Sequence, residues 1–239
     1  MMEVYIGCSG WNYRDWKGNF YPENIPQKEW LEYYMEHFNT VEVNNTFYRT
    51  PKDSTVVKWK KQAYGKDFNF TLKGNRYVTQ MKKLHDVEDS VEKFYHTSDL
   101  MKTKLGCVLW QLPPSLHRDD EKLENFCKLL KGKNVIEFRH ESWFDEEVYD
   151  ILRKNRVSYC SISTPKFPEK IIATTDTVYL RMHGKGKKWY DYDYSKKELK
   201  SWHKKIIDSG AKEVFIYFNN DIGAVAPENA KVMQELFDS

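Results

Sequence analysis

The 239-residue sequence is poor in the features that mark several large classes of protein. It has four cysteines and no Cys-x-x-Cys spacing, which argues against a zinc knuckle or a thioredoxin-like redox pair. No apolar run approaches the ~20 residues that are needed to cross a bilayer. The first residues also lack a basic stretch followed by an apolar one. We therefore expect a cytoplasmic protein that does not associate with membranes.

The sequence also lacks an excess of charge of one sign. It contains 38 Lys and Arg against 35 Asp and Glu, which gives a formal net charge of +3. This balance argues against a protein that coats nucleic acid, although it leaves room for a local basic patch. With 40% hydrophobic residues, the chain has enough apolar material for a sizeable core. Its length suits one α/β barrel of about 250 residues, so we predict a single domain over residues 1–239 and a monomer.

Eight segments have the length and apolar character of buried strands, and helical patterns separate most of them. Alternation of strands and helices indicates βαβ units and a parallel sheet. Eight such strands predict a TIM-type (β/α)8 parallel barrel, whereas a doubly wound open sheet often carries a Gly-x-Gly-x-x-Gly fingerprint that is missing here. The predicted strands are Val4–Cys8, Thr40–Asn44, Phe68–Lys73, Leu105–Gln111, Val135–Arg139, Val157–Ser161, Val178–His183 and Glu213–Phe218.

The connection after the sixth predicted strand is the exception to this alternation. Residues 163–175 contain Pro165 and Pro168 and show no convincing helical pattern. They predict an irregular crossover, or else they indicate that the strand is placed wrongly.

Polar side chains alternate with apolar ones at the C-terminal ends of several predicted strands. In the fifth strand, Glu137 and Arg139 share one face, while Ile136 and Phe138 share the other. In a parallel barrel these ends meet at one mouth, which is where sites lie in this architecture. The substrate-binding residues predicted there are Ser9, Trp11, Asn44, Lys73, Gln111, Arg139, Arg181, Tyr217, Asn219 and Asp221.

The charges of these residues favour an anionic ligand. Two carboxylates accompany three permanent cations, so we predict that Arg139, Arg181 and Lys73 grip phosphate or carboxylate. The loop 184–188, Gly-Lys-Gly-Lys-Lys, adds positive charge after the seventh strand. Alternatively, the charges neutralise one another as internal ion pairs. Burying each charge costs several kcal/mol unless it is paired, and we favour a binding site on that ground.

Three hypotheses describe the chemistry of the predicted site. The first is an enzyme of the hydrolase or isomerase type that acts on a phosphorylated or acidic sugar or nucleotide. In it Glu42 and Glu137 divide the acid and base roles, and His183 and His140 support them. The second is a metal-dependent phosphoesterase that holds a divalent ion among these four residues and Asp221, although no His-x-His or His-Glu-x-x-His spacing supports it.

The third hypothesis is a non-catalytic module that binds single-stranded nucleic acid. It would use loop 184–188 and the aromatic residues that crowd the first loop, where Trp11, Tyr13, Trp16, Phe20 and Tyr21 lie. Such aromatic residues more often anchor a long loop onto the protein, and we expect that role for most of them.

Seven blocks of the sequence, in order, resemble the family called domain of unknown function 72, which is also described as YecE-like. The resemblance implies a TIM-type barrel in a cytosolic protein, and it brings no reaction with it. One position departs from the family pattern: Gln80 stands where a histidine is common, so a metal or acid–base role there would be lost. The blocks are Gly7-Cys8-Ser9-Gly10-Trp11, Phe20-Tyr21-Pro22, Thr40-Val41-Glu42-Val43-Asn44, Gln111-Leu112-Pro113-Pro114, Glu137-Phe138-Arg139-His140, Arg181-x-His183-Gly184 and Phe218-Asn219-Asn220-Asp221.

Overall fold

A computed structural model of the protein, which describes residues 2–186, 188 and 190–238, contains eight strands in the order of a closed barrel. Neighbouring strands are parallel. The TIM-type barrel predicted from the sequence is therefore confirmed, and the predicted strand ends differ from the observed ones by no more than two residues. The strands are β1 (Glu3–Cys8), β2 (Thr40–Val43), β3 (Asn69–Lys73), β4 (Leu105–Gln111), β5 (Asn134–Glu137), β6 (Ser158–Ser163), β7 (Thr177–Met182) and β8 (Glu213–Phe218).

Helices follow every strand except β6. They are α1 (Trp30–Tyr34) after β1, α2 (Asn45–Tyr48) and α3 (Asp53–Gln62) after β2, α4 (Glu88–Asp99) after β3, α5 (Asp120–Lys128) after β4, α6 (Glu146–Lys154) after β5, α7 (Lys196–Asp208) after β7 and α8 (Val225–Asp238) after β8. The Ser195 and Glu198 side chains cap α7 reciprocally. Among the described residues, no helix combines the length and the apolar character that crossing a bilayer requires.

The crossover from β6 to β7 has no helix, which confirms the irregular connection predicted for residues 163–175. The two prolines in this segment lack the backbone N–H that a helix interior uses. Thr174 supplies side-chain hydrogen bonds instead. Its hydroxyl accepts from the Tyr159 N–H at 2.8 Å and donates to the Val157 carbonyl at 2.7 Å. These two hydrogen bonds therefore attach the end of the β6–β7 connection to the start of β6.

The chain divides into two compact units. The first contains the described residues of Met1–Glu42, Ser161–Ile172 and Asp176–Ser239, and with them β1, β7 and β8. The second contains Val43–Cys160 and Ala173–Thr175, and with them β3, β4 and β5. The single domain expected from the sequence stays a prediction.

In the first unit, alternate side chains of the strands form successive layers from one strand end to the other. Tyr5 and Phe215 stack with their ring centroids 4.7 Å apart, and Tyr179 and Tyr217 lie next with centroids 5.2 Å apart. The Tyr217 hydroxyl lies 2.6 Å from the Thr40 hydroxyl. Rings therefore fill much of the interior between the starts and the C-terminal ends of these strands.

In the second unit, Trp110 of β4 is the centre of the apolar packing. Its ring lies 5.1 Å from that of Phe94 and 5.3 Å from that of Phe126, on the two helices that flank this strand in sequence. Its indole N–H donates to the Asn134 side chain at 2.9 Å, so its polar atom is also satisfied. Gly74 lies against this ring, where an added Cβ would come within 2.2 Å of it. The tryptophan thereby fixes β4 and the end of β3 against two helices.

Gly7 allows a tyrosine side chain to bridge the β1–β2 pair. The Tyr34 hydroxyl accepts from the Cys8 N–H at 2.7 Å and donates to the Thr40 carbonyl at 3.0 Å. A Cβ on Gly7 would lie 2.0 Å from that carbonyl oxygen and 2.7 Å from the hydroxyl. A side chain at this position would therefore separate the strands or displace Tyr34.

We expect Gly7→Ala to lower the free energy of unfolding by about 2–3 kcal/mol, because overpacking adds to the loss of the Tyr34 bridge. Urea unfolding measures this difference. Gly65→Ala is the control, since Gly65 has a φ of 75° but no atom within 4 Å of its added Cβ. It should cost about 1 kcal/mol from backbone strain. Equal losses in the two variants would show that the close approach at Gly7 does not matter.

Candidate functional site

Glu42 is the centre of a buried polar cluster in the first unit. Its side chain is fully buried near the end of β2. Oε1 accepts a hydrogen bond from the Ser9 hydroxyl and another from Arg181 Nη2 at 2.6 Å, and Oε2 accepts one from the Tyr179 hydroxyl at 2.7 Å. Arg181 Nη2 also lies 3.0 Å from the Ser9 hydroxyl oxygen. One cation and two hydroxyls therefore hold the carboxylate in a single orientation.

His183 continues this cluster beyond the end of β7. Its Nε2 lies 3.4 Å from Arg181 Nη1, and its Nδ1 lies 3.0 Å from the Asn219 amide nitrogen. Arg181 can only donate, so Nε2 is the acceptor and a neutral ring carries its proton on Nδ1, which faces the Asn219 side-chain amide.

The first loop, between β1 and α1, forms a second small cluster with Asp221, which lies just beyond β8. The Tyr13 hydroxyl donates to the Ser9 carbonyl at 2.5 Å, and the Trp16 indole N–H donates to the Asp221 carbonyl at 3.2 Å. Burial raises the pKa of the Asp221 carboxyl above its ordinary value of 3.8, and the negative charge of Asp15 adds to this rise. Hydrogen bonds, one of them with the Tyr13 side chain, oppose it.

Most aromatic residues of the first loop anchor it, as expected. Trp16, Phe20 and Tyr21 are buried, and the Tyr21 hydroxyl donates to the Trp11 carbonyl at 2.5 Å. Trp11 and Tyr13 are half-buried. The loop therefore offers little exposed ring surface, which does not favour its use as a stacking platform for bases.

Glu137 is the buried carboxylate of the second unit. It ends β5, and its Oε1 accepts hydrogen bonds from Arg139 Nε and from the Gln111 amide at 3.3 Å. The Gln80 amide donates to the Gln111 carbonyl at 2.6 Å. Gln80, at the position where the resemblance leads us to expect a histidine, thus contacts the end of β4.

Lys73 contributes a second cation to this unit from the last position of β3. Its ammonium lies 4.4 Å from the centroid of the Phe47 ring, and its carbonyl accepts from the Thr46 hydroxyl at 2.7 Å. Asn44 is half-buried just before α2. Lys73, Gln111, Glu137 and Arg139 are therefore all at the C-terminal ends of β3, β4 and β5.

His140 lies beside this group with its ring orientation fixed. The Ser142 N–H donates to His140 Nδ1 at 3.2 Å, and the Ser142 hydroxyl lies 2.9 Å from the same nitrogen. The Arg118 N–H donates to the Ser142 hydroxyl at 2.8 Å. The His117 ring stacks on His140 with centroids 3.9 Å apart. Because Nδ1 accepts, a neutral His140 carries its proton on Nε2.

Two other features expected from the sequence receive no support from these contacts. Among residues 2–186, 188 and 190–238, no three His, Cys, Asp or Glu side chains form a group able to hold a metal ion. In loop 184–188, Lys185 Nζ lies 2.8 Å from a Glu169 carboxylate oxygen and 3.5 Å from one of Glu198. Lys187 lies outside the described residues.

Three residues of these clusters were missed or left without a role by sequence reasoning. Tyr179 precedes Arg181 by two positions, so the period of the strand could have revealed it. Ser142 and His117 carry no such signal, because loops rather than strand periodicity bring them to His140. Tyr217, predicted to bind substrate, lies in the buried aromatic layer with its hydroxyl against Thr40.

We expect Arg181→Met to lower the free energy of unfolding by about 3–5 kcal/mol, since it leaves the buried Glu42 carboxylate without its cation. The double variant Arg181→Met/Glu42→Gln should recover much of this loss. Lys212→Met is the control, because the Lys212–Asp176 pair is exposed and such pairs contribute at most about 1 kcal/mol. Urea unfolding of all four proteins tests this; equal losses at the two sites would contradict it.

The raised pKa of Asp221 predicts a dependence of stability on pH. A carboxyl whose pKa is higher in the folded protein than in the unfolded chain makes folding less favourable as the pH rises through that pKa. Asp221→Asn should therefore be more stable than the parent at pH 7, by a margin that shrinks as the pH falls toward 3.8. Thermal unfolding at several pH values measures this margin, with the exposed Asp67→Asn as the control. A constant margin would contradict the assignment.

Comparison with known proteins finds the same fold and the same family. Residues 5–239 match the family model described as "Protein of unknown function DUF72". The chain is 29% identical to the UPF0759 protein YunF of Bacillus subtilis, in an alignment that covers 98% of this chain and 95% of that protein. It is 32% identical to a DUF72 family protein of Thermotoga maritima of known crystal structure, with a TM-score of 0.91 over 99% of this chain and all of that one.

A more distant likeness concerns the fold alone. A D-psicose 3-epimerase from Clostridium cellulolyticum shares 13% identity with the chain, with a TM-score of 0.54 over 99% of this chain and 97% of that one. A family model that spans nearly the whole chain, together with a close structural match at 32% identity, decides the classification. The chain belongs to the DUF72 family.

Proposed function

We propose that the protein is an enzyme that binds a small polar anion, such as a phosphorylated or acidic sugar or nucleotide, at the strand ends of the second unit. The observation that carries this proposal is that two largely buried cations there keep a small part of their surface open to solvent. Arg139 is 9% exposed and Lys73 is 8% exposed, whereas Arg181 of the first unit is 1% exposed. A ligand arriving from solvent can contact Arg139 and Lys73, whereas Arg181 is hydrogen-bonded to the buried Glu42.

The charges of this group support an anionic ligand. Arg139, Lys73 and Glu137 together carry a formal charge of +1, from two cations and one carboxylate. An anion would neutralise this charge, and in a partly buried place that attraction is less screened than at the surface. A guanidinium also has several N–H donors in a planar fork that suits phosphate and carboxylate.

The contact with Glu137 prepares Arg139 for this role. Its Nε donates to the carboxylate, and both residues come from the same strand end, two positions apart. This bond fixes the plane of the guanidinium before a ligand arrives, so less side-chain entropy is lost on binding. Glu137 thereby positions the cation, in addition to being a candidate for proton transfer.

The same unit contains a group suited to proton transfer. A neutral His140 carries its proton on Nε2, because Ser142 occupies Nδ1, and the ring is only half-buried. Such a ring can donate a proton to a leaving or developing oxygen, and Glu137 is the carboxylate of the same unit that could accept one. A hydrolase or isomerase needs this division between an acid and a base. Glu42, held by its three donors, has the role of orienting Arg181 and His183 in the first unit.

The experiment is a thermal-shift panel of sugar phosphates, sugar acids and nucleotides with the parent protein and three variants. A ligand at ~100 times its dissociation constant adds roughly 2.7 kcal/mol, or on the order of 5–10 °C. We expect Arg139→Ala to abolish this shift and Lys73→Ala to reduce it, because each removes a cation from the ligand. Lys58→Ala, at an exposed position of α3 in the same unit, should leave the shift unchanged.

Two results would contradict the proposal. One is a parent protein that no member of the panel stabilises. The other is an Arg139→Ala variant that keeps its fold, by circular dichroism, and responds to the ligand as the parent does.

A further inference from the structure

Two segments of the second unit form a basic surface beside the strand ends. They are residues 44–52, which follow β2, and residues 73–83, which begin at the end of β3. Together they contain six Lys and Arg and no Asp or Glu, although the whole chain is nearly balanced in charge. The cations are Arg49, Lys52, Lys73, Arg76, Lys82 and Lys83.

The same two segments expose large hydrophobic side chains. Seven such side chains are exposed among the described residues, and three of them lie here: Tyr48 at 62%, Tyr77 at 44% and Met81 at 67%. Exposed rings on two segments that contact each other are less readily explained as scattered surface residues than a single exposed ring is. They indicate a surface that contacts a partner.

Buried contacts hold the two segments together. Thr46 is buried, and its hydroxyl donates to the Lys73 carbonyl at 2.7 Å. The Asn75 amide donates to the Thr46 carbonyl at 3.4 Å, and the Tyr77 N–H donates to the Asn75 side chain at 2.8 Å. The rings therefore project from a backbone that is ordered before any partner binds, which lowers the entropic cost of binding.

Cations and rings alternate across this surface. The Arg76 guanidinium carbon lies 5.8 Å from the centroid of the Tyr48 ring. The Phe47 ring meets Tyr48 edge to face with centroids 5.1 Å apart, and the Lys73 ammonium lies 4.4 Å from the Phe47 centroid. A matching partner has to offer negative charges and flat unsaturated faces at short intervals.

We propose that this surface, residues 44–52 and 73–83, binds single-stranded nucleic acid. Phosphates would meet the Lys and Arg side chains, and unpaired bases would stack on Tyr48 and Tyr77. An acidic peptide could use the cations but has no general use for the ring faces, and a duplex keeps its base faces stacked inside. The surface also differs from the first loop and loop 184–188, which the sequence had suggested for this role.

This binding does not depend on the proposed small-anion site, although Lys73 belongs to both. Arg139→Ala tests the small-anion site, and variants that spare Lys73 and Arg139 test the surface. Failure of one proposal can therefore be told apart from failure of the other.

The test is fluorescence anisotropy with a labelled dT12 oligonucleotide at low salt. We expect the double variant Tyr48→Ala/Tyr77→Ala to bind at least tenfold more weakly than the parent, because stacking of one base on one ring accounts for about that factor or more. Tyr64→Ala is the matched control, since Tyr64 is 87% exposed in the same unit but lies outside both segments. It should bind as the parent does.

The salt dependence tests the cations separately. The logarithm of the association constant should fall linearly with the logarithm of salt concentration, and Arg76→Ala should reduce that slope by about 0.7, the contribution of one phosphate on a single strand. Unlabelled dT12, a duplex of the same length and polyglutamate are the competitors, and dT12 should compete best.

Three results would overturn the proposal. The parent could fail to bind dT12 at low salt, or the double tyrosine variant could bind as tightly as Tyr64→Ala. Finally, duplex or polyglutamate could compete as well as dT12, which would assign the surface to another kind of polyanion.

Discussion

A closed parallel barrel places every second side chain of each strand in its interior, and the other features of this protein depend on that constraint. The interior has to be filled, and in the first unit rings fill its lower part, from Tyr5 and Phe215 to Tyr179 and Tyr217. The buried charges Glu42 and Arg181 lie farther along, near the C-terminal ends of β2 and β7. The same alternation that buries the rings therefore determines which residues stand at the mouth.

At the mouth the main interaction is a buried carboxylate paired with a guanidinium, and it occurs once in each unit. Glu42 and Arg181 are fully shielded from solvent and contact two hydroxyl groups, whereas Arg139, the partner of Glu137, keeps 9% of its surface exposed. Removing a charge from water costs several kcal/mol, and a partner with good hydrogen bonds offsets much of that cost. Each pair therefore fixes the structure around its own strand ends.

Hydrogen bonds from loop residues then decide the state of the histidines. Ser142 occupies Nδ1 of His140, and Asn219 contacts Nδ1 of His183. A neutral His140 therefore carries its proton on Nε2. Residues of the loops thus fix the orientation of a histidine that follows a strand end.

The sequence by itself determined the barrel, the strand positions to within two residues, and the irregular crossover after β6. These follow from the period of two along strands, from the alternation with helices and from two prolines, all of which are local signals. Because residues two apart share a face, it also predicted that four charged residues lie near the C-terminal ends of their strands: Glu42, Arg181, Glu137 and Arg139. Only the tertiary structure decided which charges pair, that the Tyr179 hydroxyl donates to Glu42, that His117 stacks on His140, and that Tyr48 and Tyr77 are exposed. Those facts depend on contacts between distant segments and on burial, which no local pattern in the chain encodes.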